Sequence, residues 1–288
     1  MRLLVIGRTG QLATALAGAG DATCVGREIY DLARSDTKQT LDLLRRHRPD
    51  AIVNAAAYTA VDAAENDGDA AFALNATGPR VLAEACLEYG TPLVHVSTDY
   101  VFDGLKSEPY TETDPLNPQS IYGASKAAGE MAILESGARS SIVRTSWVFA
   151  AAGQNFVRTM LRLAQTRDEI GVVVDQRGRP TWVSDLAGAC RALAERLIEN
   201  DRAAEGIFHF ANEEEASWAD LAAAVFEEAR ARGWKAASVK RITTSEFPTL
   251  AQRPKNSRLD TSKFASLFAK PRPWRNALTL CMDEMSPP

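Results

Sequence analysis

Along the first two-thirds of the chain, short apolar runs alternate with longer stretches of helical periodicity. The runs at residues 3–6, 23–25, 51–54, 93–97, 141–145 and 172–174 are only three to five residues long and rich in Val, Ile and Leu, as strands buried on both faces are. Between them, residues 36–47, 70–89 and 120–136 repeat apolar side chains at three- and four-residue spacing among Ala, Leu, Glu and Arg. This alternation predicts βαβ units and an α/β fold: a doubly wound parallel sheet of six strands, of Rossmann type. Residues 99–118 hold three prolines and no apolar period, so they predict a long loop leaving the fourth strand. From about residue 212 the pattern becomes helices with a few short strands, which predicts a smaller C-terminal α+β domain.

Composition narrows the partners. Hydrophobic residues make up 45% and charged residues 24%, the balance of a folded globular chain rather than a disordered or collagen-like one. Thirty-three basic against 37 acidic residues give a net charge of −4, so no global positive field would hold a nucleic acid or an anionic membrane. An anionic ligand must be gripped locally. Cys24, Cys86, Cys190 and Cys281 stand far apart, as do His47, His95 and His209, so neither a metal site nor a redox dithiol is expected. No stretch approaches 18 uninterrupted apolar residues, and the apolar opening is too short for a signal peptide. A cytoplasmic protein with reduced thiols and no membrane partner is the expectation.

The glycine pattern supplies the local grip. Gly7-Arg8-Thr9-Gly10-Gln11-Leu12-Ala13 follows the first strand and opens a helix, the G-x-x-G-x-x-A spacing of a dinucleotide loop. Glycine permits a tight turn and close backbone approach to a pyrophosphate, whose charge then lies on the amides at the helix start. The predicted division is therefore a dinucleotide-binding domain, 1–150 continued by 171–211, and a substrate domain, 151–170 with 212–288. A site selecting NAD usually ends its second strand with a carboxylate for the ribose diol. Here that strand ends Cys24-Val25-Gly26-Arg27, and Arg27 suits a 2′-phosphate, so NADPH is expected over NADH. Glu28 is a competing partner for Arg27. Asp31 and Leu32 follow within reach of an adenosine.

Tyr122 and Lys126 stand at i and i+4, on one face of a helix. A phenol near pKa 10 needs a neighbouring cation to ionise at neutral pH, and Lys126 is expected to supply it while also holding the nicotinamide ribose. Ser97, Thr98, Asp99 and Tyr100 end the fourth strand, and Ala55, Ala56 and Ala57 follow the third, leaving room for a flat ring. Thr98 would hold a carbonyl oxygen under reduction. Tyr100 and Trp147 offer aromatic walls for a sugar ring, Asp99 an acceptor for its hydroxyls, and Arg253 a clamp for a diphosphate.

These motifs resemble the extended short-chain dehydrogenases/reductases acting on nucleotide sugars. Four longer strings, Gly7 to Leu12, Asn54 to Glu65, Ser97 to Gly104 and Arg144 to Phe149, resemble the dTDP-4-dehydrorhamnose reductases, as do Asp175 to Thr181 and Arg253 to Lys263. The resemblance implies reduction of the 4-keto group of a dTDP-deoxysugar, with Thr98, Tyr122 and Lys126 catalytic, NADPH or NADH as cofactor, and a monomer or homodimer. Two positions depart from the family pattern, Ala13 where glycine is common and Arg179 where a small residue is usual. Related dehydratases follow the threonine with Asp-Glu, the pair that eliminates water; here the pair is Asp99-Tyr100. Other nucleotide-sugar enzymes and a non-catalytic dinucleotide-binding subunit are the alternative expectations.

Overall fold

The computed structural model describes residues 1–18 and 20–287. Five of the expected strands form one parallel sheet: β1 (Leu3–Ile6), β2 (Ala22–Val25), β3 (Ala51–Asn54), β4 (Leu93–Thr98) and β5 (Ser140–Thr145). The order across the sheet is β2-β1-β3-β4-β5, with Gly206–His209 beyond β5. From β1 the chain goes to β2 on one side and then crosses to β3 on the other. That reversal leaves a crevice at the carboxyl ends of β1 and β3, where such sheets take ligands.

The two-residue period of the strands divides the core. Leu3 and Val5 of β1 point into a cluster with Val53, Val94, Leu12 and Leu193. Leu4 and Ile6 point the opposite way, against Ile52, Leu44 and Leu82. Helices Gln11–Ala17 and Val183–Ile198 thus cover one face, and Thr37–His47 and Gly78–Tyr89 the other. At ~25 cal/mol per Å² of apolar surface removed from water, this two-sided burial dominates the stabilisation of the sheet. Among the described residues, no helix is long and apolar enough to cross a membrane.

Two expectations are corrected. The sixth strand of the sheet is not 172–174 but Gly206–His209, parallel to β5. Glu169–Val173 instead pairs with Ser238–Ile242 in a separate two-stranded sheet. Its burial alternates, with Glu169 and Gly171 exposed and Ile170 and Val172 buried, which suits a one-faced strand at the surface. Gly206–His209 needs fewer apolar residues because it lies at the edge of the sheet.

The second correction concerns 70–89, which is not one helix. Gly68–Phe72 passes through a π turn, Ala73–Thr77, before Gly78–Tyr89 begins. Pro79 has no N–H to return to the Asn75 carbonyl, so the α ladder breaks there. Gly129 of the helix Ile121–Glu135 fills the space beside that carbonyl; a Cβ on it would stand 2.0 Å from the Asn75 oxygen. The Asn75 side chain then donates to Ser125 at 2.9 Å, fixing Ile121–Glu135 against the turn. The loop 99–118 is ordered by the C-terminal segment: Asn256 donates to the carbonyls of Lys106 and Glu108 at 2.7 and 2.8 Å.

Candidate active site

At the end of β1, Gly7 adopts φ +123°, a value that a Cβ disfavours. A Cβ there would also sit 3.4 Å from backbone atoms of Ala55 and Ala56, so glycine lets the loops after β1 and β3 close on each other. Gly10 caps Gln11–Ala17 in extended conformation, with no side chain bonded to its first-turn amides. A cleft of about 530 Å³ opens here, lined by Gly7, Thr9, Gly10, Arg27, Leu32, Leu74 and Ala55, Ala56 and Ala57. Gln11 and Leu12 lie outside that lining, and the Leu12 side chain is buried in the sheet core. What Leu12 offers a ligand is backbone, whereas the Gln11 side-chain oxygen is buried without a partner among the described residues.

Arg27 is exposed at the cleft and forms no ion pair among the described residues. The competing partner is engaged elsewhere: Glu28 bonds Arg8 at 2.5 Å. Asp31 faces a neighbouring depression with Arg34 and Tyr30, its carboxylate accepting from the Ala33 amide at 3.2 Å. Tyr30 separates the two hollows and lines both.

The chemistry-bearing groups gather at the end of β4. His95 and Ser97 share one face of the strand by its two-residue period, and Tyr122, Lys126 and Glu130 share one face of the helix Ile121–Glu135. The two faces meet. Ser97 donates to the Glu130 carboxylate, and Arg144, its partner in register on β5, closes on the same carboxylate with contacts of 2.6 and 3.0 Å. Both charged side chains are essentially inaccessible to solvent. Ser97, which the sequence offers as a cofactor-binding residue, spends its hydroxyl on this buried pair.

Lys126 donates to the Val96 carbonyl at 2.6 Å and lies 3.2 Å from His95 Nε2. Burial brings it down to about 8, with Glu130 pulling the other way. The Tyr122 phenol is pushed up by burial, and the Thr98 hydroxyl is the group that draws it down, while Asp99 and Tyr100 add to the rise. The expected depression of Tyr122 by Lys126 is thus replaced by a net rise, because the lysine is engaged with His95 and Val96 and desolvation of the phenol dominates.

Asp99, 4% exposed, receives the Thr98 hydroxyl at 3.0 Å on one oxygen. Its other oxygen is buried with no partner. Burial pushes this carboxyl up to about 6, against the pull of the nearby Ser257 and Thr98 hydroxyls. Tyr100 meets Tyr122 edge to face at 5.4 Å between ring centres, and Arg253 reaches its hydroxyl at 3.5 Å. Arg253 is held by Asp62 at 2.6 Å, and Asp62 also accepts from the Ala251 amide at 3.0 Å. Trp147 has φ +50°, a strained value for a bulky residue. It stacks on Trp218 at 3.7 Å and lies over Gly178, where a Cβ would come within 2.5 Å of the indole. Arg179 turns into the C-terminal segment, 3.4 Å from the Thr261 hydroxyl and 3.8 Å from Glu213.

His95, Glu130, Arg144, Asp62, Trp218 and Gly178 were not anticipated. For His95 and Arg144 a signal existed: polar residues inside otherwise apolar buried strands need partners. Among the described residues, no group of three His, Cys, Asp or Glu side chains is placed to hold a metal ion.

Comparison with known proteins gives matches along nearly the whole chain. The family model described as RmlD substrate binding domain matches residues 1–286. A dTDP-4-dehydrorhamnose reductase of Aggregatibacter actinomycetemcomitans is 43% identical, covering 96% of this chain and 97% of that one. A crystal structure of a dTDP-4-dehydrorhamnose reductase from Clostridium acetobutylicum superposes with a TM-score of 0.89 at 35% identity, over 98% and 99% of the two chains. The enzyme of that name from Bacillus anthracis, solved in complex with NADP, gives the same score and identity over the same shares. The chain belongs to the dTDP-4-dehydrorhamnose reductase family.

Proposed function

We propose that this enzyme reduces the 4-keto group of dTDP-4-dehydro-L-rhamnose to give dTDP-L-rhamnose, with NADPH preferred over NADH. The observation that carries the proposal is the gathering of Thr98, Tyr122 and Lys126 at the carboxyl end of β4, where the Tyr100 amide bonds Thr98, the Tyr100 ring packs on Tyr122, and Lys126 bonds the Val96 carbonyl, beside a cleft that opens at the sheet's switch point. The cleft fits a nicotinamide dinucleotide. Gly7 lets backbone approach the pyrophosphate position, Gly10 leaves helix-start amides for its charge, and Ala55, Ala56 and Ala57 keep the floor shallow. Exposed Arg27 favours the 2′-phosphorylated form. In this division of labour, residues 1–150 and 171–211 hold the cofactor while 151–170 and 212–288 hold the sugar nucleotide.

The dinucleotide supplies the hydride for carbon 4. Tyr122 supplies the proton. Its raised pKa keeps the phenol protonated at neutral pH, the state a donor requires, and the Thr98 hydroxyl steadies the carbonyl oxygen that receives the proton. The unpartnered Asp99 oxygen accepts a sugar hydroxyl, and Tyr100 and Trp147 flank the ring. Arg253 takes the diphosphate, exchanging Asp62 for it. Tyr100 stands where an eliminating enzyme keeps its second carboxylate, so water is retained and the reduced cofactor is consumed. The four thiols are free, which suits a reducing cytoplasm, where the product would feed cell-surface polysaccharide synthesis. No nucleic acid or membrane takes part, and the working unit is a monomer or homodimer.

The test is stoichiometry. Purified protein given NADPH and dTDP-4-dehydro-L-rhamnose is expected to oxidise one cofactor for each dTDP-L-rhamnose formed. A flat cofactor signal with the sugar nucleotide bound would overturn the proposal in favour of a binding subunit.

A further inference from the structure

Between the cofactor cleft and the Tyr122 helix runs a file of buried polar groups whose hydrogen-bond roles are dictated one after another. The Ala56 amide lies 3.1 Å from Asn54 Oδ1. A backbone N–H only donates, so the Asn54 oxygen is the acceptor and the orientation of the carboxamide is settled. Its Nδ2, also a donor only, faces His95 Nδ1 at 3.0 Å. His95 Nδ1 must then present its lone pair, and a neutral imidazole in that state carries its single proton on Nε2. Nε2 is the atom 3.2 Å from Lys126 Nζ, whose other contact is its donation to the Val96 carbonyl. An ammonium has three donors and no acceptor. A charged Lys126 would set N–H against N–H at this contact, whereas a neutral amine has the lone pair that Nε2–H requires.

We propose that His95 is a positioning residue for Lys126: held by Asn54 as the Nε2–H tautomer, it offers the lysine a donor where an ammonium needs an acceptor and so holds down the proton affinity of Lys126, which must break this contact when it takes a proton from solvent. The alternative of a doubly protonated His95 would turn Nδ1–H onto the Asn54 donor. Burial presses His95 well below its ordinary value, against that alternative.

The other groups around Lys126 do not reverse the effect. Glu130, one turn further along the helix, favours the charged lysine, but its carboxylate is shared by Arg144 of β5 and Ser97 of β4. Tyr122, one turn back, is kept protonated by burial, and Asp99 acts on that phenol. Asn75 and Ser125, on the π-turn side, are neutral and bonded to each other. The inference rests on the proposed reductase activity only in counting Lys126 among the working groups. The protonation state itself belongs to the free protein and is read without turnover.

The experiment is nitrogen-15 spectroscopy of the free, full-length protein with labelled histidine and lysine. Between about pH 6.5 and 8, His95 is expected to show a protonated Nε2 and a bare Nδ1. In His95→Gln, whose side-chain oxygen accepts from an ammonium, the Lys126 proton affinity is expected to rise about tenfold, moving its titration midpoint up by about one pH unit. A proton on His95 Nδ1 would overturn the proposal from the unmutated protein alone, whatever the folding of the variant. An unmoved Lys126 midpoint in folded His95→Gln would overturn it equally. Absence of cofactor oxidation would leave both spectra as expected, so failure of the reductase proposal is distinguishable from failure of this one.

Discussion

At the end of β1 the groups facing the cleft are backbone amides, small side chains and an exposed arginine, whereas at the end of β4 they are buried side chains bonded to one another. Gly7, Gly10 and Arg27 answer mainly to solvent. Thr98, Tyr122, Lys126 and Glu130 answer to each other, at 0–9% exposure. In the proposed function the difference follows from what each end must do. Gripping a phosphate needs only converging donors, and water screens any error in placing them. Holding a proton for transfer needs a fixed distance and a fixed protonation state, which low local dielectric enforces at the cost of desolvation. Substitutions at the β4 end should therefore cost far more than those at the β1 end.

The largest expected effect is on stability. Arg144→Met leaves the Glu130 carboxylate buried with only the Ser97 hydroxyl against it, and breaking one side of a buried pair costs about 3–5 kcal/mol. Arg144 also lies 5.0 Å over the Phe102 ring and 3.4 Å from His209 Nε2, so the methionine loses those contacts too. The denaturant midpoint should fall sharply with an unchanged slope. A midpoint near that of the parent protein would mean that the β4 end is no stiffer than the β1 end.

Next in size is a loss of chemistry without loss of fold. Tyr122→Phe removes one hydroxyl from a buried ring, and the edge-on contact with Tyr100 remains available. Turnover should fall by ~10²-fold or more while cofactor affinity persists. An equal loss in cofactor affinity would show that the phenol positions the dinucleotide rather than donating a proton.

Much of this contrast was legible before any coordinates. Strands β1, β3, β4 and β5 came out within a residue of their ends, because each is an apolar run bounded by turn residues and buried on both faces. The Tyr122–Lys126 face and the Gly7 turn followed from helical spacing and from the φ that only glycine adopts cheaply. The links between elements were not legible. Ser97 reaches Glu130 and His95 reaches Lys126 only because β4 packs its odd-numbered face onto one stripe of Ile121–Glu135, a register that depends on Gly123 and Gly129. A Cβ at Gly123 would stand 2.2 Å from the Tyr100 carbonyl oxygen, so the helix sits closer than spacing alone suggests. Glu169–Val173 was misplaced for a related reason. Three valines in a row read alike in a central strand and in a two-stranded sheet, and only its distant partner, Ser238–Ile242, distinguishes them. Trp218, stacked on Trp147, is likewise separated from it by 71 positions, and no local pattern joins them.

The smallest expected effect lies at the β1 end and concerns the choice of cofactor. Arg27 lines the cleft at the end of β2, is exposed, and is not neutralised by Glu28, which bonds Arg8. A 2′-phosphate within its reach would gain a charge-assisted contact that water and salt weaken. Arg27→Ala should thus lower NADPH affinity by roughly fivefold, leave NADH affinity unchanged, and lose even that difference as ionic strength rises. The comparison of dissociation constants for both cofactors, in both proteins, at low and high salt decides it. An equal loss for NADPH and NADH would assign Arg27 to the pyrophosphate or the adenine. A loss of a hundredfold or more for NADPH alone would place it in a desolvated contact of the kind found at the end of β4, and the proposed contrast between the ends of β1 and β4 would fail.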